Sequence, residues 1–240
     1  MTRRGMLAIL ATAGLAMETD FESLRVKMVD GQIRTADVTN IPLLSAMLSV
    51  PREAFVSAKR RPLAYIDEDI EVAPAAGGQP ARYVMEPAPF ARLVQLADVQ
   101  SGDFVLDIGA ATGYSSAVLS KLASSVIALE SDPVLAASAA STLSTLGHDN
   151  VAVVTGPLQE GYASEAPYDV IFLGGSVEQI PESLFQQLKE GGRLVAVEGL
   201  GNAGVASLFV KSNGAVTSRR AFNAAIKPLP GFERAREFEF

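Results

Sequence analysis

The chain has 240 residues, 48% of them apolar and 20% charged, enough to bury a sizeable core as one domain. A formal net charge of −7 argues against a nucleic-acid surface, since basic residues cluster only weakly, as in Lys59-Arg60-Arg61. The absence of cysteine excludes disulfides, thiolate zinc sites and cysteine nucleophiles; a single histidine, His148, leaves no material for a metal site built on several imidazoles.

Residues 1–16, "MTRRGMLAILATAGLA", place two arginines before an apolar run of signal-core length, too short to span a bilayer. Met17 opens "METDFESLRVKMVDGQ", a natural polar helix start. The expectation is that residues 1–16 come from an upstream start codon, with a true signal as the alternative. Residues 17–240 are then one cytoplasmic domain that meets no membrane.

From about residue 18 to 60 the pattern is helical, carried by Phe21, Leu24, Val26 and Met28 and then by Ile41, Leu43, Leu44, Met47 and Leu48. "SVPREAFV" marks a turn and a further short element. "DEDIEVAPAAGGQPARYVMEPAPF" is rich in glycine and proline and reads as an irregular loop with one short strand, Ile70 to Val72. "FARLVQLADVQ" returns to a helix with Phe90, Leu93, Val94, Leu96 and Ala97 on one face.

From residue 101 onward the period changes. "FVLDIG", "SVIALE", "VAVVTG", "YDVIFLGG" and "GRLVAVEG" read as short buried strands. "YSSAVLSKLA", "PVLAASAASTLSTLG" and "PESLFQQLKEGG" read as helices, the last two begun by proline and ended by glycine. This alternation predicts a doubly wound α/β fold with helices on both faces of the sheet. "VASLFVKS" and "AVTSRRAFN" flank Asn213-Gly214, a turn signal, and add two antiparallel edge strands. The whole is a mostly parallel seven-stranded sheet with an N-terminal helical extension.

"VLDIGAATGYSSAVLS" lies where such a sheet binds ligands, after its first strand. A dinucleotide turn needs glycine at the first, third and sixth positions, and here Ala111 and Tyr114 follow Gly109. A phosphate loop needs a Gly-Lys-Ser/Thr that is absent. Asp107 instead precedes Gly109, Ala111 and Gly113, well placed to accept from a cationic amino-acid end. S-adenosyl-L-methionine (AdoMet) meets these demands: its ammonium and sulfonium suit the acid, and its carboxylate suits backbone N–H groups at a helix start. Glu130, ending "VIALE", is positioned to accept from two ribose hydroxyls. The plain alternative makes both acids strand-end polar caps.

Together with "KMVDGQIRTADVTNIPLLSAMLSVPREAFV", "LAYIDEDIEV", "LGHDNVAVVTG", "APYDVIFLGGSVEQIP" and "LKEGGRLVAVEG", these residues resemble the protein-L-isoaspartate O-methyltransferase family of class I, Rossmann-like methyltransferases. The resemblance implies methyl transfer from AdoMet to an aspartate-derived carboxylate of a damaged protein or peptide. It makes residues 17–100 the substrate-side segment and residues 101–240 the AdoMet-binding core. Gly109, Ala111, Gly113 and Tyr114 fall on the family's glycine turn.

Two positions depart from the family pattern. The family has a Thr-Ile-Ser type segment before a proline, whose hydroxyl contacts the substrate carboxyl; this chain has Tyr83-Val84-Met85-Glu86-Pro87, so Met85 and Glu86 stand at the acceptor. Where the family has Gly-Asp-Gly after the third strand, this chain has Gly156-Pro157-Leu158, leaving adenine to pack on Leu158 and bond to main chain. An AdoMet-dependent carboxyl methyltransferase is the leading expectation. A methyltransferase with another acceptor, or a binding module without repair chemistry, is the alternative.

Overall fold

The computed structural model describes residues 19–76 and 78–234, so the reading of residues 1–16 lies outside the described residues. Asp20 accepts from the Ser23 N–H and starts α1 (Phe21–Met28). The chain then winds through tighter and wider turns to α2 (Ile41–Ser49), where Asn40 caps the Leu43 N–H at 2.9 Å and Pro42 sits in the first turn. Met28, Leu43, Leu44 and Met47 are buried, which fixes both helices as a lid on the larger core cluster. The loop expected to hold one strand holds two: β1 (Ile70–Ala73) pairs antiparallel with β2 (Arg82–Val84), Ile70 opposite Val84. Three residues give too short a run for alternation to reveal β2, and only its partner defines it.

The rest is the expected layered sheet. α3 (Pro87–Ala97) buries Phe90, Leu93, Val94 and Ala97. Then come β3 (Phe104–Ile108), α4 (Tyr114–Ser120), β4 (Ser125–Glu130), α5 (Pro133–Thr145), β5 (Val151–Thr155), β6 (Tyr168–Val177), α6 (Glu182–Gln186), β7 (Leu188–Glu198), β8 (Val205–Ser212) and β9 (Ala215–Asn223). The strand order is β5-β4-β3-β6-β7-β8-β9, parallel from β5 to β7 and antiparallel at β8 and β9. β3 has β4 on one side and β6 on the other, so the strand order reverses at its carboxyl end. A crevice opens at such a point.

The helix expected over "PESLFQQLKEGG" stops early, at Gln186. Leu188 already pairs with Tyr168 in β6, and after an irregular stretch Arg193 pairs with Val170. Gln187 helps end the helix: its amide donates to the Glu160 carbonyl at 2.8 Å, and its oxygen accepts from the Tyr162 N–H at 2.9 Å. Gly192 then passes so close to the Lys189 and Tyr168 carbonyls that an added Cβ would lie 2.8 and 3.1 Å from them. Beyond β9 the chain returns across the sheet end. Ser176 N–H donates to the Lys227 carbonyl, Leu229 N–H to the Ser176 carbonyl, and Leu229 and Phe232 are buried.

Candidate active site

The turn after β3 has a backbone that most side chains avoid. Gly109 and Gly113 have φ of 84° and 96°, and Ala111 between them has φ of 50°. A left-handed alanine costs roughly 1–2 kcal/mol. Its N–H is thereby turned onto the Glu130 carboxylate at 2.7 Å, an interaction that offsets the strain. Gly109 and Ala110 N–H groups both donate to the Leu129 carbonyl, which ties the turn to the end of β4.

Asp107 is fully buried near the end of β3. One carboxylate oxygen accepts from the Ser115 and Ser116 hydroxyls at 2.6 and 2.5 Å; the other, Oδ1, is buried with no hydrogen-bond partner. Burial pushes this carboxyl up to about 6; the two serine hydroxyls oppose that rise, and the nearby Glu130 charge adds to it. A buried acceptor oxygen without a donor is costly, which makes it a candidate contact for a cationic ligand group.

Glu130, expected to face ribose hydroxyls, is also fully buried, but its oxygens are taken. Arg82 grips both, Nη1 to Oε1 at 2.5 Å and Nη2 to Oε2 at 2.9 Å. Oε1 also accepts from the Ser131 and Asp132 N–H groups at 2.8 and 3.0 Å. Neither reading of Glu130 from the sequence included an internal arginine. The signal was long-range: Arg82 reaches it only because β2 folds back over the sheet end.

Two cavities lie near the turn, one of them bordered by Arg82. One, of about 480 Å³, is walled by Arg82, Ser131, Asp132, Pro157, Leu158 and Gln159, which gathers the two residues expected at adenine. The other, only about 20 Å³, is walled by Tyr83, Met85, Gly109, Ala111, Tyr114, Ser115 and Phe172. Met85 thus faces the glycine turn, as its position implied. Glu86 lines neither cavity; its N–H donates to Asp69, its side chain makes no capping bond on α3, and burial together with Asp67, Asp69 and Glu68 raises its pKa. Tyr114 is wedged between Phe55 and Phe90, with ring centres 5.7 and 5.6 Å away, so its ring is packing as well as cavity wall. Among the described residues no cluster of side chains suits a metal ion. His148 bonds Ser120 at the far end of α4, away from the turn.

A family model described as Protein-L-isoaspartate(D-aspartate) O-methyltransferase (PCMT) matches residues 24–231. The chain belongs to this family. The protein-L-isoaspartate O-methyltransferase of Koribacter versatilis is 36% identical over 215 residues, covering 89% of this chain and 93% of that protein. A solved protein-L-isoaspartate O-methyltransferase is 27% identical with a TM-score of 0.74, covering 88% of this chain and 66% of that one. A Plasmodium falciparum protein crystallised with S-adenosyl-L-homocysteine shares the fold, with a TM-score of 0.70 at 21% identity, covering 88% of this chain and 98% of that one.

Against the cofactor of such methyltransferases, this member's donor set fits in chemistry. Asp107 Oδ1 is a buried acceptor with no protein donor, which suits a cationic group, and the larger cavity has an apolar wall at Leu158 that suits a base. The smaller cavity is too small for such a ligand at about 20 Å³, and the space beside Gly109 is filled, since an added Cβ would lie 2.5 Å from Leu229 and 3.4 Å from Arg82 Nη2. The larger cavity has room for a ligand group as the structure stands, whereas the space over Gly109 is filled by the side chains of Leu229 and Arg82.

Proposed function

We propose that the protein is an AdoMet-dependent methyltransferase that methylates a carboxylate on a protein or peptide, as its family does with isoaspartyl residues. The observation that carries this reading is the orphaned, buried Asp107 oxygen beside a turn built from left-handed residues. A ligand ammonium would satisfy that oxygen, and Gly109 has no Cβ to block a ligand once the Leu229 side chain, which fills that space here, moves aside.

When bound, the cofactor supplies a methyl group on a positively charged sulfur, open to in-line attack. The acceptor suits a site without a free base, because a carboxylate with a reference pKa of about 3.9 is already ionised near neutral pH. What the chain contributes is position and exclusion of water. Tyr114 and Phe172 wall the reacting end apolar, and Met85 presents a thioether where a hydroxyl would hold an acceptor carboxyl. Met85 favours a second reading of the acceptor, a carboxylate other than the isoaspartyl one. Incubation with methyl-labelled AdoMet and paired peptides, one isoaspartyl and one ordinary aspartyl, tests both. Base-labile label on the isoaspartyl peptide alone supports repair; label on neither peptide but on other proteins moves the acceptor; no label anywhere rejects the function.

A further inference from the structure

We propose that Arg82 is an internal stand-in for the ribose of the cofactor, and that its displacement from Glu130 sets how tightly this chain binds AdoMet; the inference rests on the function proposed above. Every direction in which Glu130 can accept is already used. Three backbone N–H groups, from Ala111, Ser131 and Asp132, are fixed by the turn and by the start of α5. What remains goes to Arg82, with the Ser131 hydroxyl more distant at 3.3 Å. A guanidinium fork offers a carboxylate two parallel donors, and the two adjacent hydroxyls of a ribose offer the same pair. The two cannot hold Glu130 together.

Placement favours exchange over a permanent brace. Arg82 belongs to the small β1-β2 sheet, not to the seven-stranded one, so it reaches Glu130 from a separate element. Its side chain is 7% exposed and borders the cavity of about 480 Å³ that also holds Pro157 and Leu158. A ligand entering from that side meets the arginine before it meets the carboxylate. Glu130 keeps three backbone donors after the fork leaves, so the buried acid is not stranded in the exchange. Arg82 is therefore a residue that sets cofactor affinity by competition, without taking part in methyl transfer.

The experiment is calorimetric binding of S-adenosyl-L-homocysteine to wild type, Arg82→Gln and Arg82→Lys, each first checked for a cooperative thermal transition. Glutamine removes the charge and the fork; lysine keeps the charge but offers a point donor in place of two parallel ones. The expected result is binding at least tenfold tighter in Arg82→Gln than in wild type, with Arg82→Lys between them. Equal or weaker binding in Arg82→Gln, with measurable binding by wild type, overturns the competition and leaves the proposed function standing. Absence of binding in all three chains removes the cofactor reading and the competition with it. Should Arg82→Gln not fold, tighter binding by Arg82→Lys than by wild type supports the proposal, and equal or weaker binding overturns it.

Discussion

The guanidinium of Arg52 lies 4.7 Å from the ring centre of Tyr114, the first residue of the helix that follows the glycine turn. Both are buried, and the arginine also donates to the carbonyls of Ala64 and Met85 at 2.8 and 2.7 Å. One side chain therefore fastens three segments: the helical extension, the strand-to-helix stretch carrying Met85, and the cofactor-side turn. Among the described residues no carboxylate is within ion-pair distance of it, so its fixation rests on carbonyl oxygens and an aromatic face.

Replacing Arg52 with lysine keeps a cation but loses the planar fork. One ammonium cannot reach both carbonyls and stack on Tyr114, so a buried carbonyl is left without its donor. The expected loss is about 2 kcal/mol or more, read by urea unfolding. Unchanged stability in Arg52→Lys would mean that the fork is not what holds these segments.

Asp107 gives the molecule a pH dependence of definite sign. Its carboxyl moves from an ordinary value of 3.8 to about 6 on folding, chiefly by burial. The folded protein binds a proton more tightly than the unfolded one, so this group's stabilisation is full below about pH 4 and is lost as pH rises through 6. The difference between pH 4 and pH 7 is about 3 kcal/mol at most. Asp107→Asn is expected to be more stable than wild type at pH 7, and no more stable at pH 4. Ligand binding runs the other way, since an ammonium needs the ionised acid: the affinity of wild type for S-adenosyl-L-homocysteine falls about tenfold from pH 7 to pH 5. A flat affinity over that range, measured by calorimetry, would separate Asp107 from the ligand.

The central parallel strands β3, β4 and β6 were legible because they are buried on both faces and therefore almost continuously apolar, as in "VLDI" and "VIAL". The glycine turn was legible because an acid followed by closely spaced glycines has few other uses at a strand end. Counting residues was enough to bring Met85 to the turn. Local pattern failed where a distant partner decides the structure. Arg82–Val84 becomes a strand only against Ile70–Ala73, and Arg82 meets Glu130 across 48 positions of sequence. "LKEGG" carries a helix-ending glycine, yet Leu188 opposite Tyr168 draws it into the sheet. Leu229 over Gly109 depends on the chain returning after β9, which no periodicity announces.

Gly113 tests how much of the turn is fixed by packing. With φ of 96° it begins α4, and an added Cβ would lie 3.1 Å from Leu143 and 3.2 Å from Ala139, both on α5. Alanine there is strained in its own backbone and also pushes α4 from α5. The expected cost of Gly113→Ala is about 2–3 kcal/mol, seen as a lowered thermal midpoint. A variant that melts with wild type would show that the turn relaxes freely.

Met85 stands where the function proposed above puts the acceptor, and restoring a hydroxyl there separates the two readings of it. Met85 is 9% exposed and walls the small cavity with Gly109 and Tyr114. Met85→Ser removes buried thioether surface at a cost of about 2 kcal/mol in stability, and it enlarges the cavity. It also returns a donor for a carboxylate, and a hydrogen bond to a charged group contributes about 1.5–3 kcal/mol. If the native acceptor is a carboxylate other than isoaspartyl, methylation of an isoaspartyl peptide by Met85→Ser should exceed that by wild type by about tenfold or more in kcat/KM. The affinity for S-adenosyl-L-homocysteine should change little, because Asp107 and Glu130 are untouched. If wild type already methylates the isoaspartyl peptide well and the serine variant gains nothing, Met85 does not exclude that acceptor, and its thioether serves to pack Tyr114 and Phe90 against the turn.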